Sequence, residues 1–315
     1  MQSHPSPKVL MLLTSDFVKS RYEALRSRAP DLHVVTEIEG ESDPDVCALF
    51  AFKLPLGMAP RLPNLRLAAS VGAGADGILS TPDLPLNVRV TRAVEPGLGF
   101  SMAQFASLQI LRHFRSLPVM ERQHAAGEWK RLAVPDASQV TVGIMGLGSI
   151  GSVVAEVLVA LGFKVIAWTR TSARQARVPV FVGELQKDEF LAQSNYLVCL
   201  LPFTEETKGS LDDASLRKLP KGSFVVNVAR GGILVEDDLL SLVNEEHLAG
   251  AALDVFASEP LPTNSAFWRH ERILVTPHIA AQPTAGPVVD QFLENLQRLA
   301  KGQPLLNEVD RSVGY

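Results

Sequence analysis

Along most of this chain, short β-rich apolar runs alternate with longer stretches in which apolar residues recur at helical spacing, the pattern of an α/β protein with mostly parallel sheets. The first run, Lys8 to Leu13, predicts a strand. A helix follows, starting after Asp16, a residue type that caps helix N-termini, with Phe17, Tyr22 and Leu25 on one side. Further strands are predicted at His33 to Glu37, Val46 to Phe50, Leu65 to Ala69 and Val88 to Thr91. Pro44, Pro55, Pro60, Pro63, Pro82, Pro85 and Pro96 punctuate this region and keep its strands short. From Ser101 to about Arg122 the pattern is one long helix, broken or kinked near Pro118, and it reads as a crossover between domains.

From Val140 the alternation becomes regular. The runs VTVGIM, KVIAW, YLVCLL, FVVNVA and AALDVF predict strands, separated by helices from Ile150, Glu184, Asp212 and Glu236, which is the order of a doubly wound sheet. The last helical stretch, Thr284 to Lys301, has no strand after it and is assigned to the first domain. The expected layout is therefore two doubly wound domains with mostly parallel sheets, Rossmann-like and flavodoxin-like. Residues 1–100 with 285–315 form a substrate domain, and residues 101–284, crossover helix included, form a dinucleotide-binding domain inserted into it. A chain of 315 residues is long enough for two cores.

Composition then narrows the function. With 46% hydrophobic and 20% charged residues, a formal net charge of -4 and no basic stripe, a nucleic-acid partner is not expected. Apolar stretches such as Gly151 to Ile166 are interrupted by Glu156 and Lys164, so no membrane span is expected either. The N-terminal apolar run lacks a basic flank and a small-residue cleavage site, so it reads as a strand and not as a secretion signal. Cys47 and Cys199 lie inside apolar runs, which suits buried thiols in a reducing cytoplasm. The seven histidines show no HxxxH or HxH spacing and no GxSxG turn occurs, so neither a metal nor a serine nucleophile is expected.

Chemistry enters at two places. GLGSIG (Gly146, Leu147, Gly148, Ser149, Ile150, Gly151) directly follows a strand and opens a helix, where glycines let a pyrophosphate approach the backbone and the helix N-terminus offers free N–H groups. At the end of the next strand, where NAD enzymes carry an acidic residue, this chain has Thr169, Arg170 and Thr171. A hydroxyl and a guanidinium, with Arg174 and Arg177 nearby, suit a 2′-phosphate, so NADP(H) is the expected cofactor and NAD(H) the alternative. Further on, Arg230, Glu259 and His278 each lie just past a predicted strand, where open α/β sheets place their ligands. A guanidinium can stabilise negative charge growing on a substrate oxygen and an imidazole can supply a proton, while a carboxylate beside the imidazole favours its protonated form.

The motifs VGIMGLGSIG, LLPFTEETKG, NVARGGIL, LDVFASEPLP and TPHIAA, in this order over nearly the whole chain, resemble the D-isomer-specific 2-hydroxyacid dehydrogenase family. The likeness extends to VGAGADGILS, GEWKRL, WTRT and VDRSVGY, and is strongest with members that reduce glyoxylate and hydroxypyruvate. It implies an NAD(P)H-dependent reductase of small 2-oxo acids, in which Arg230 orients the substrate and polarises its carbonyl, His278 is the acid/base and Glu259 bonds the imidazole. It further implies that the amides at Ala73 and Gly74 hold the substrate carboxylate, and that Leu201 and Pro202 lie along the adenine. Asp254 is placed near the nicotinamide carboxamide, the alternative being a strand-end aspartate satisfied by neighbouring backbone N–H groups; Ala229 and Ala280 are also at the cofactor, and the protein is a homodimer formed through its crossover helices. Two alternatives stay open: an NAD-preferring dehydrogenase of a bulkier 2-oxo acid such as phenylpyruvate, and a non-catalytic dinucleotide-sensing protein. One departure is Ala103-Gln104, where many relatives have alanine-glutamate; altered helix packing is expected there. The loop Ala51-Phe52-Lys53 is expected to face the substrate side chain, but it matches no assignable pattern.

Overall fold

A computed structural model describes residues 7–171 and 176–314. The chain divides into two compact units, Met1–Pro96 with Gln282–Tyr315, and Gly97–Ala281.

In the first unit, strands Lys8–Leu10 (β1), His33–Val35 (β2), Val46–Ala51 (β3), Leu67–Ser70 (β4) and Arg89–Thr91 (β5) form a parallel sheet in the order β2-β1-β3-β4-β5. This is the flavodoxin-like order. Helix Asp16–Arg28 (α1) follows β1, but its cap is Ser15, whose hydroxyl accepts the Val18 amide, and not Asp16. Ser15 keeps extended backbone angles while Asp16 already has the first helical position, which is what a capping residue and its successor require. A short helix, Asp76–Leu79 (α2), follows the glycine-rich turn after β4. Several strands stop earlier than their apolar runs, since residues such as Leu12 and Leu13 stay apolar for packing after the ladder has ended.

The second unit opens with Pro96–Phe114 (α3) and Leu117–Ala125 (α4). The expected single helix is two, because Ser116 takes a left-handed conformation (φ 53°). Pro118 then sits in the first turn of α4, where its missing N–H costs nothing, so it starts a helix and does not kink one. On α3, Ala103 is buried while Gln104 faces solvent, so the glutamine takes no part in helix packing.

The sheet of this unit comprises Thr141–Met145 (β6), Lys164–Thr169 (β7), Val180–Val182 (β8), Tyr196–Cys199 (β9), Ser223–Asn227 (β10), Leu248–Leu253 (β11) and Ile273–Val275 (β12). Its order is β12-β11-β10-β9-β6-β7-β8, all parallel, with the topological switch between β6 and β9. Alternate residues point to opposite faces: Val142, Ile144, Val198 and Val226 pack with Val154 and Leu158 of helix Ser149–Ala160 (α5). Leu197, Val225 and Leu253 face the other layer, together with Leu191 of Lys187–Ala192 (α6), Leu216 of Asp213–Leu216 (α7) and Leu239 of Glu236–Asn244 (α8). Each such buried side chain contributes roughly 1.5–3 kcal/mol.

Two elements differ from expectation. The edge strand β8 was hidden by its length and by Pro179 and Gly183 on either side. At Glu184 a 3-10 turn, Glu184–Gln186, precedes a helix that starts only at Lys187.

The final helix, Ala285–Ala300 (α9), belongs to the first unit and places Val288, Val289, Phe292, Leu296 and Leu299 in its core. The Phe292 ring stacks on Phe50 of β3 at 4.3 Å. Buried Asn295 ties the helix to the backbone of Leu306, and the last segment lies along β5, where Arg89 pairs with Glu308.

Candidate active site

The glycine loop is built by close backbone contact. β6 ends at Met145, and Gly146 turns the chain at φ +108°, an angle that excludes most side chains. A Cβ on Gly151 would lie 2.0 Å from the Gly146 carbonyl oxygen, so only glycine lets α5 start against the end of the strand. Gly148, by contrast, has nothing within 4 Å of where a Cβ would stand. It occupies the N-cap position of α5 without any side-chain cap. The first turn of α5, at Ser149, Ile150 and Gly151, therefore presents uncapped amides beneath open space, and Leu147 and Gly148 border it. These residues fit a dinucleotide pyrophosphate, which needs an approachable backbone and N–H donors.

At the end of β7, the Thr169 hydroxyl is buried without a hydrogen-bond partner among the described residues. Arg170 follows, three-quarters covered, and its guanidinium pairs with the exposed carboxylate of Glu206. Thr171 is exposed. Arg174 lies outside the described residues, and Arg177 sits 3.8 Å from Glu156 on α5 with its side chain almost wholly in solvent. Leu201 is buried just beyond β9, and the Pro202 carbonyl accepts the Thr207 hydroxyl at 2.7 Å.

Three loops after β10, β11 and β12 carry the expected acid/base residues, and the structure brings Glu259 and His278 into contact. His278 Nδ1 lies 2.8 Å from Glu259 Oε2, while Glu259 Oε1 accepts the Phe256 amide at 3.0 Å. The imidazole thus has one nitrogen committed to the carboxylate and leaves Nε2 on the side away from it. Burial pushes the Glu259 carboxyl up. The His278 hydrogen bond, the Phe256 amide and the charges of His278 and Arg230 outweigh burial, and the carboxyl ends below its usual range. That Arg230 charge acts within the same cluster.

Arg230 is positioned by its neighbours. Its Nη1 donates to the Ala229 carbonyl at 2.7 Å, and buried Asn227 spans the turn by accepting the Ala229 amide and donating to the Arg230 carbonyl. A Cβ on Gly231 would fall 1.8 Å from the Phe256 carbonyl carbon, so glycine allows the Arg230 turn to lie against the loop that leads from β11 to Glu259.

Asp254 is 1% exposed, and its carboxylate accepts the Thr276 hydroxyl (2.6 Å) and the amides of Ile279 (2.9 Å) and Ala280 (2.8 Å). Its carbonyl accepts the His278 amide at 2.8 Å. These four bonds hold His278 in a left-handed conformation (φ 54°), a costly state that persists only when its surroundings define it. The part Asn227 plays in its turn was not foreseen, whereas the bonds of Asp254 to local backbone are the alternative open to a strand-end aspartate. The one signal of both residues in the sequence is a polar residue at the C-terminal end of an otherwise apolar strand.

In the first unit, the turn at Ala73 and Gly74 is shaped by Ser70, whose hydroxyl donates to the Gly74 carbonyl at 2.6 Å and accepts the Gly72 amide. The amides of Ala73 and Gly74 make no hydrogen bond to the described residues. Phe52 packs on this turn: a Cβ on Gly72 would meet its ring at 3.0 Å, and one on Gly77 would meet its carbonyl oxygen at 2.5 Å. Ala51 is buried and Lys53 exposed.

Comparison with known proteins decides the family. Residues 107–280 match the model of the D-isomer specific 2-hydroxyacid dehydrogenase, NAD binding domain. The chain belongs to the D-isomer specific 2-hydroxyacid dehydrogenases. Among relatives in this family, glyoxylate/hydroxypyruvate reductase A of Klebsiella pneumoniae (strain 342) is 40% identical over 256 residues, covering 80% of this chain and 82% of the relative. A crystal structure of a D-isomer specific 2-hydroxyacid dehydrogenase from Xanthobacter autotrophicus Py2 in complex with NADPH and MES is 36% identical. It superposes with a TM-score of 0.90 over 99% of this chain and 100% of its own. The NADPH-dependent glyoxylate/hydroxypyruvate reductase of Sinorhizobium meliloti, in complex with NADP and sulfate, is 33% identical with a TM-score of 0.90, covering 98% of this chain and 100% of its own. Both structures share the two doubly wound domains of this 2-hydroxyacid dehydrogenase. Among the described residues no cluster of His, Cys, Asp or Glu could hold a metal ion, and no helix is long and apolar enough to cross a membrane.

Proposed function

We propose that this chain reduces glyoxylate and hydroxypyruvate to the corresponding 2-hydroxy acids with NADPH. The observation that carries the reading is the His278–Glu259 pair at 2.8 Å with Arg230 close enough to act on the same carboxylate. The NADPH and NADP held by the two superposed relatives, and the names of the Klebsiella and Sinorhizobium proteins, support the cofactor and the substrate class.

Bound NADPH supplies the hydride. The uncapped amides of α5 and the turn at Gly146 to Gly151 take the pyrophosphate, Leu201 and Pro202 flank the adenine, and Thr169, Arg170 and Thr171 meet the adenosine ribose and its 2′-phosphate. Ala229, Asp254 and Ala280 border the nicotinamide end, where Asp254 acts by holding the His278 loop. Arg230 binds the 2-oxo acid and stabilises the negative charge that grows on its carbonyl oxygen. His278 donates a proton from Nε2 to that oxygen, and Glu259 steadies the resulting charge change from the Nδ1 side. The amides of Ala73 and Gly74, which make no hydrogen bond among the described residues, hold the substrate carboxylate.

The active protein is a homodimer formed through α3 and α4, which leave Phe100, Leu108, Leu117 and Met120 exposed. It works in the reducing cytoplasm, in keeping with the free thiols of Cys47 and Cys199.

Steady-state assays of NADPH oxidation with glyoxylate, hydroxypyruvate and phenylpyruvate test this reading. The two smaller acids should be turned over with the higher kcat/KM, and NADPH should exceed NADH by about tenfold or more, roughly 1.4 kcal/mol of transition-state stabilisation. His278→Ala should lower kcat by about 10²–10⁴-fold. Absence of turnover with every 2-oxo acid would reject the enzyme and favour a dinucleotide-sensing role.

A further inference from the structure

We propose that Glu206 is an internal counter-ion of Arg170, standing where a 2′-phosphate binds, and that it sets how strongly the chain prefers NADPH over NADH. The inference rests on the proposed NADPH-dependent reduction and deepens it. Arg170 directly follows β7, at the strand end where a doubly wound sheet meets the adenosine ribose of its dinucleotide. Its side chain is 27% exposed, whereas the Glu206 carboxylate that pairs with it is 67% exposed. The anion is thus the solvent-facing member of the pair and can be displaced without opening the fold.

The carboxylate is not carried by a loose loop. Thr207 donates its hydroxyl to the Pro202 carbonyl at 2.7 Å and accepts the Thr204 amide at 2.8 Å; the Thr207 and Lys208 amides return to the Thr204 carbonyl. The amides of Gly209 and Leu211 then bond to the carbonyls of Gly232 and Ile233. A turn anchored at both ends presents Glu206 to Arg170, and it begins at Leu201 and Pro202, the residues assigned to the adenine.

Two anions compete for one guanidinium, and their charges decide the winner. An exposed carboxylate pair shifts an equilibrium by about fivefold at most, while a phosphate monoester brings roughly -1.5 to -2 charges and three acceptor oxygens. The 2′-phosphate displaces Glu206, at the cost of that modest pair. When the ribose carries a 2′-hydroxyl instead, the pair stays intact, and its carboxylate is the hydrogen-bond acceptor that NAD enzymes place at the end of this strand. Glu206 thus weakens NADPH binding slightly and admits NADH.

Calorimetric titration of the full-length protein with adenosine 2′,5′-bisphosphate and with AMP tests this without turnover. Glu206→Gln should tighten the bisphosphate by about two- to fivefold, the factor equivalent to an exposed ion pair, and leave AMP unchanged or weaker. In the Arg170→Gln background the same substitution should have no effect on the bisphosphate, because the two side chains act as a pair. Unchanged or weakened bisphosphate binding in Glu206→Gln, or a gain that survives in Arg170→Gln, overturns the proposal. If the unaltered protein binds the bisphosphate no better than AMP, the NADPH reading fails first and the role of Glu206 falls with it.

Discussion

The carboxylate of Glu259 is the residue on which the proton chemistry turns, and its environment makes a pH prediction. Its hydrogen bonds from His278 and the Phe256 amide, with the Arg230 charge, hold its folded value below the usual 4.5 despite burial. A carboxyl lowered on folding stabilises the folded state above its unfolded value, and that contribution fades as pH falls through the lowered folded value. The melting temperature of the unaltered protein should therefore exceed that of Glu259→Gln at neutral pH, with the gap closing as pH drops below about 4.3. A gap that is flat with pH contradicts the assignment. Arg230, Glu259 and His278 stood out in the sequence because each is a charged or titratable residue a few positions past a strand-like run. Asn227 was not legible in its task, since it acts on backbone groups that only the folded turn brings near, while for Asp254 bonding to neighbouring backbone was one of two readings open. Glu206 was likewise one carboxylate among many until the turn aimed it at Arg170.

At the scale of the element, the junction of β6 and α5 separates packing from binding. Gly151→Ala forces a Cβ to within 2.0 Å of the Gly146 carbonyl and should cost about 1–3 kcal/mol of stability in denaturant unfolding, because the helix must move off the strand. Gly148→Ala meets nothing within 4 Å and has ordinary backbone angles, so stability should hold while NADPH affinity, measured by fluorescence titration, falls. Equal losses of stability in the two variants would contradict the division. Long elements with steady periodicity, α5, α8 and α9 among them, were visible from apolar spacing. The short ones were governed by local detail: Ser15 took the cap one residue before Asp16, Ser116 split the crossover helix through one left-handed residue, and β8 is a three-residue edge whose ladder partner is the end of β7. Apolar spacing carries no record of such single-residue backbone choices.

For the whole molecule, the regular alternation of strand and helix indicated two parallel, doubly wound sheets, and both sheets are parallel throughout, with the family likeness covering the chain at full length. Sheet order was less accessible. The seven-stranded sheet places its sequentially first strand, β6, in the interior, so that the glycine loop after it falls at the switch point, and this follows from right-handed crossovers and not from any residue pattern. The central claim is that hydride passes from NADPH to the 2-carbon of a small oxo acid while His278 supplies the proton. Its most direct test is to incubate the protein with hydroxypyruvate and NADPH bearing deuterium at the transferable nicotinamide position, and to locate the label in the product by mass spectrometry and NMR. The account predicts D-glycerate labelled at carbon 2, formed by the unaltered protein and, over the initial-rate period, about 10²–10⁴-fold less of it from His278→Ala. Product without the label, or equal labelled product from both proteins, would contradict it.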